Sequence, residues 1–181
     1  MKMKPFVAAL AVVVSLMSLI SCEKEGVKLF DGNYSFKTSG ILTVERTAKV
    51  SESDASTEIL DIPDGNRTFR LALTSESGQM NVIKTGDNSV IVTMNVVGGD
   101  AFVFSGKAEG KVLTLDPAVR FVSFRDGANT VSLEITVSGT AEKHDDVAVF
   151  TLEYTGGGET TLYDYKILAS EVKCVAKLNE D

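Results

Sequence analysis

The sequence predicts an all-β fold: an antiparallel up-and-down meander closing into a barrel, with a two-sheet β-sandwich as the alternative. Three observations carry this. Apolar residues recur at every second position in run after run, as strands with one buried face require. Turn-forming residues interrupt these runs about every ten residues. Helical periodicity is nearly absent beyond residue 21.

The first 21 of the 181 residues read as an address and not as part of the domain. Lys2 and Lys4 supply a positive end, Phe6 to Ile20 form a short apolar run, and Ser21 precedes Cys22. Leu19-Ile20-Ser21-Cys22 reads as a bacterial lipobox, which makes Cys22 the expected lipidation site and 1–21 a lipoprotein signal peptide. The run is about 15 residues, short of the ~20 that span a bilayer. Residues 22–30 are then the lipidated Cys with a short tether, and 31–181 a single β-barrel domain. Partner and place follow: the membrane, through the anchor on Cys22, with the protein in the cell envelope as an outer-membrane lipoprotein.

Within 31–181 the elements come in order. Asp31-Gly32-Asn33-Tyr34-Ser35-Phe36 opens the first strand. The Ser, Glu and Asp of Val44–Thr57 fit either a loop or a short helix, and Val44–Asp64 is the one stretch long enough for a crossover. Phe69, Leu71 and Leu73 alternate with Arg70, Ala72 and Thr74, and Val90, Val92 and Met94 with Thr93 and Asn95. Runs at Ala101–Ser105, Val112–Leu115 and Arg120–Phe124 follow. Val131–Ser138 is the cleanest alternation and should turn Leu133 and Ile135 inward, Glu134 and Thr136 outward. Val147–Tyr154 and Tyr163–Leu178 complete roughly ten candidates. Asp64-Gly65-Asn66, Gly86-Asp87-Asn88, Gly98-Gly99-Asp100, Asp126-Gly127-Ala128 and Gly156-Gly157-Gly158 are the expected turns. Pro5, Pro63 and Pro117 fall outside the expected strand interiors.

The chain carries few of the groups that perform chemistry. Without Lys2 and Lys4 the 18 basic residues become 16 against 25 acidic, a net charge of −9. That balance argues against nucleic acid and against anionic headgroups as partners. The lone histidine, His144 in Glu142-Lys143-His144-Asp145-Asp146, reads as a hairpin tip. Cys174 would be a small buried hydrophobe once Cys22 carries lipid. Asp61-Ile62-Pro63-Asp64-Gly65-Asn66 lacks the alternate-position ligands of an EF-hand. No nucleophile elbow or phosphate loop appears, so the sequence names no catalytic residue, no metal site and no cofactor. Phe102 and Phe104 share one strand face, with Val103 opposed, and the sequence leaves open which face is inside.

The opening Gly32-Asn33-Tyr34 resembles the Gly-x-Trp motif that starts lipocalins. Asn88–Val97, Phe104–Leu115 with Gly110-Lys111-Val112-Leu113-Thr114-Leu115, and Ser138-Gly139-Thr140 followed by Val147–Tyr154 resemble the small calycin-like lipoproteins of Bacteroidetes. Glu23 and Glu25 resemble the acidic export signal of surface lipoproteins in that group. The resemblance implies an eight-to-ten-stranded calycin barrel holding a small apolar or amphipathic ligand in its cup. The competing reading is a structural or adhesive sandwich acting through protein contacts. The sequence picks out no ligand-binding residue.

Overall fold

The computed structural model describes residues 26–49 and 66–180. The lipobox with Cys22, Pro63 and the Asp61–Gly65 turn lie outside the described residues, as do positions 50–57 of the segment read as loop or helix. Eight strands follow one another: β1 (Gly32–Ala48), β2 (Arg67–Lys84), β3 (Ser89–Val96), β4 (Ala101–Glu109), β5 (Val112–Asp126), β6 (Asn129–His144), β7 (Val147–Glu159) and β8 (Tyr163–Leu178). Each pairs antiparallel with the next, and β1 also pairs with β8, so the sheet closes on itself in chain order. That closure excludes the two-sheet sandwich. Eight strands leave an interior just wide enough to be filled by side chains.

Alternation places the core. On β6, Val131, Leu133, Ile135 and Val137 are buried, while Ser132 and Glu134 face solvent. Phe104 points inward with its neighbour Phe102, and Val103 is exposed. Cys174 is buried and free on β8.

Residues 26–30, at the end of the stretch expected to be tether, form a helical turn that plugs one end of the barrel. Val27 and Phe30 are fully buried in the core, and Gly26 lies so close to Gly110 of the β4–β5 turn that a side chain there would collide with backbone. A buried relay holds the plug. The Lys143 ammonium donates to the Tyr34 hydroxyl at 2.7 Å, and that hydroxyl donates to the Phe30 carbonyl at 2.8 Å. Burial pushes the Lys143 ammonium below its ordinary pKa and the Tyr34 phenol up to about 12.

The roughly ten candidates become eight because bulges join runs that the sequence shows as separate. Val112–Leu115 and Arg120–Phe124 are both β5. Its register slips between Leu115 and Ala118, and the inward face passes from Leu113 and Leu115 to Ala118, Arg120, Val122 and Phe124. Pro117 therefore lies inside a strand, contrary to expectation; it is tolerated because the ladder is already broken at the bulge. β2 slips at Thr74 and Ser75 opposite Ser39, and β8 at Leu168 opposite Thr43 and Val44.

The triple glycine is a second correction, for it is the end of β7 and not a turn. A Cβ at Gly156, Gly157 or Gly158 would collide with the backbone oxygen of Glu134, Tyr165 or Ser132 respectively. Three strands approach too closely there for any side chain, and Gly156 has a φ of 121°. The same composition that suits a flexible turn suits this crowding.

Candidate functional site

The bulges of β1–β2 at Ser39 and of β5 at Asp116 and Pro117 mark a belt across the barrel and divide it into unlike halves. Toward the plug all eight strands pair. Beyond the belt β3 and β4 have ended: β2 meets β3 only over Gly78–Lys84, and β5 meets β4 only over Val112–Leu115. The facing edges of β2 from Arg67 to Glu76 and of β5 from Ala118 to Asp126 have no ladder partner. In the closed half the two strands flank β3 and β4, three strand spacings or about 14 Å apart. A seam thus opens in the barrel wall.

Side chains, not ladder hydrogen bonds, cross this seam. At the belt, Arg120 Nη2 donates to Glu76 Oε1 at 2.7 Å and Nη1 to Oε2 at 3.2 Å, a forked pair that is largely buried. The guanidinium lies over the Phe102 ring, 3.8 Å from its centre. At the far end the rings of Phe69 and Phe124 meet at 5.6 Å, and Phe124 meets Tyr165 edge-on at 5.8 Å. Below them, Arg46 Nη1 and the Tyr165 hydroxyl both donate to Asp126 Oδ2 at 2.9 Å, and the Arg46 guanidinium covers Tyr163. Burial raises the Asp126 carboxyl, but these hydrogen bonds outweigh it and hold the group below the ordinary carboxylate range. Burial and Asp126 push the Tyr165 phenol up to about 12.

Between the two crossings lies a cleft of about 240 Å³. Leu71, Ala72, Leu73 and Thr74 line one side and Phe121, Val122 and Ser123 the other, with Thr38, Glu76, Arg120 and Tyr154 at its inner end. Inward and outward faces of both strands contribute, so the cleft passes through the wall and does not open at a barrel end. That corrects the expected cup: the plug occupies one end, and the Arg46–Asp126–Tyr165 cluster lies at the other.

The inner end is polar and incompletely paired. Thr38 is 3% exposed; its Oγ1 makes no hydrogen bond to nitrogen or oxygen and sits beside the Cys174 thiol. Arg120 Nε is buried without a close hydrogen-bond partner, and the Tyr154 hydroxyl lies within reach of the guanidinium. Burial drives the Cys174 thiol up to about 11 and raises the Tyr154 phenol, so both stay protonated at neutral pH and offer no nucleophile.

His144 closes β6 at the turn and is exposed, its Nε2 3.5 Å from Glu142 Oε2. The residues singled out for possible chemistry in the sequence, His144 and Cys174, do not meet. Those that do meet, Thr38, Glu76, Arg120 and Tyr154, carry no sequence motif; the one signal is an ionic residue at an inward position of a strand. Among the described residues no three His, Cys, Asp or Glu side chains come together as a metal site, and no helix is long and apolar enough to cross a membrane.

No protein-family model matches the chain, and a search of curated proteins finds no match. Two solved structures align over most of its length. EF1p2_mFAP2b bound to DFHBI shares 9% identity over 87% of this chain and 99% of that one, with a TM-score of 0.39. A redesigned beta barrel, b11L5F_LGL, shares 13% over 86% and 96%, with a TM-score of 0.34. Neither likeness bears on the site.

Proposed function

We propose that the chain is a membrane-anchored binding module, tethered by lipid on Cys22 and holding a small amphipathic molecule in the wall cleft. The cleft carries this reading. Its sides mix Leu71, Leu73, Phe121 and Val122 with Thr74 and Ser123, its inner end holds polar atoms without a nitrogen or oxygen partner, and its volume admits only a small molecule. A closed up-and-down barrel favours this over adhesion, although fold alone fixes no ligand. The lipobox and the resemblance to calycin-like Bacteroidetes lipoproteins support the envelope location.

Two measurements test the two halves. Native mass spectra of the purified protein should show a bound small molecule that organic extraction removes and that Ala72→Trp, filling the cleft mouth, prevents from binding. A wild-type protein that is never found loaded, whatever the cell extract it meets, overturns the binding half. For the anchor, Cys22→Ala should abolish incorporation of a clickable palmitate analogue in cells; undiminished label would refute lipidation at that sulfur.

A further inference from the structure

The chemistry of the cleft narrows what it takes. Arg120 and Glu76 satisfy one another through a forked pair, so the inner end carries no net charge. What lacks a nitrogen or oxygen partner there is the Nε–H of an Arg120 already neutralised by Glu76, which can only donate, and the Thr38 hydroxyl beside the Cys174 thiol, which can donate or accept. A void of about 10 Å³ adjoins both residues, bounded by Thr38, Glu76, Arg120 and Tyr154 and by apolar side chains that include Phe102 and Phe104. That is room for about one water-sized atom. A hydroxyl or carbonyl oxygen has that size, whereas a carboxylate does not.

We propose that the cleft selects an uncharged amphipathic ligand. Its hydrogen-bond-accepting oxygen takes the Arg120 Nε–H and the Thr38 hydroxyl, and its apolar body lies against Leu71, Leu73, Val122 and Phe121. A carboxylate entering the same place would face the Glu76 carboxylate, and an ammonium would face the Arg120 guanidinium. Each would lose its hydration to meet an opposite charge that is already paired, with a like charge beside it. The ligand enters sideways through the β2–β5 seam, where Phe121 is 64% exposed at the mouth. This inference rests on the binding reading above and specifies the ligand class for the same site.

The test is calorimetric titration at pH 7 with three probes of one chain length: octan-1-ol, octanoate and octylammonium. Octanol should bind about tenfold tighter than either ion, the discrimination expected when a buried charge finds no partner. Thr38→Val should weaken octanol about five- to tenfold, and Thr38→Ser, which keeps the hydroxyl, should stay within about twofold. Octanoate or octylammonium binding as tightly as octanol overturns the uncharged class while leaving a binding module. Equal octanol affinity in wild type and Thr38→Val overturns the seat at the belt. No heat with any of the three, from a protein that native mass spectra find loaded, overturns the uncharged class and leaves the binding module; no heat from a protein never found loaded removes the binding reading as well. Should Thr38→Val fail to fold, the three-probe comparison on the wild type and on Thr38→Ser still decides the class.

Discussion

Truncating Ile135 to alanine is expected to cost roughly 2–5 kcal/mol of folding stability, the range for a buried branched side chain. Glu134→Ala should stay within about ±0.5 kcal/mol, as for an exposed site. Ile135 is 1% exposed in the middle of β6, and its neighbour Glu134 faces solvent. β6 pairs with β5 over Asn129–Glu142 and with β7 over Glu134–His144, so at Ile135 it is held on both sides and cannot shift to close a cavity without breaking two ladders. Two costs therefore add: the lost apolar contact and the void left behind. The contrast tests register as well as burial, since a slip by one residue would exchange the two positions. Urea midpoints of the two variants, at an unchanged slope, measure it. A damaging Glu134→Ala beside a silent Ile135→Ala would mean that β6 faces the other way.

The alternation that made this strand legible also marks where legibility ends. Period two holds for β6 from Val131 to Val137 because neither partner bulges against it there. On β5 the same rule breaks at Asp116 and Pro117, and the sequence shows two short strands where the molecule has one bent strand. A bulge moves the inward face by one position, so it resembles a strand end when only periodicity is read. The triple glycine misleads for a related reason. Freedom of φ and the absence of a side chain are one property of glycine, and sequence cannot tell which the fold uses. Closure into a barrel was legible from the count and rhythm of strands. The cleft was not, for it depends on β3 and β4 being about half as long as β2 and β5, and on Glu76 and Arg120, 44 residues apart, meeting across the gap. The plug was hidden for want of length, since five residues of helix leave no periodicity to read.

The pair closing the far end gives the second large effect. Asp126→Ala is expected to destabilise the protein by about 3 kcal/mol at pH 7, the low end of the range for removing one partner of a buried ion pair. The side chains of Arg46 and Asp126 are 7% and 14% exposed, so the variant would take from a buried guanidinium the carboxylate it holds at 2.9 Å. The Tyr165 hydroxyl would lose its acceptor at the same time. Part of the loss is tempered by the Tyr163 ring, which still covers the guanidinium. The pH dependence has a definite sign. Folding lowers the Asp126 pKa, so the unfolded chain takes up the proton first as pH falls. The stabilisation is then fully present above the ordinary carboxylate value, about pH 4, and is lost as pH drops toward the lower folded value. The gap between wild type and Asp126→Ala should accordingly be widest near pH 7 and narrow below pH 4. Urea denaturation of both proteins at pH 7 and pH 3 reads this directly. A gap that widens in acid, or one under about 0.5 kcal/mol at pH 7, would show that this end of the barrel is closed by the Phe69–Phe124–Tyr165 ring contacts and not by the ion pair.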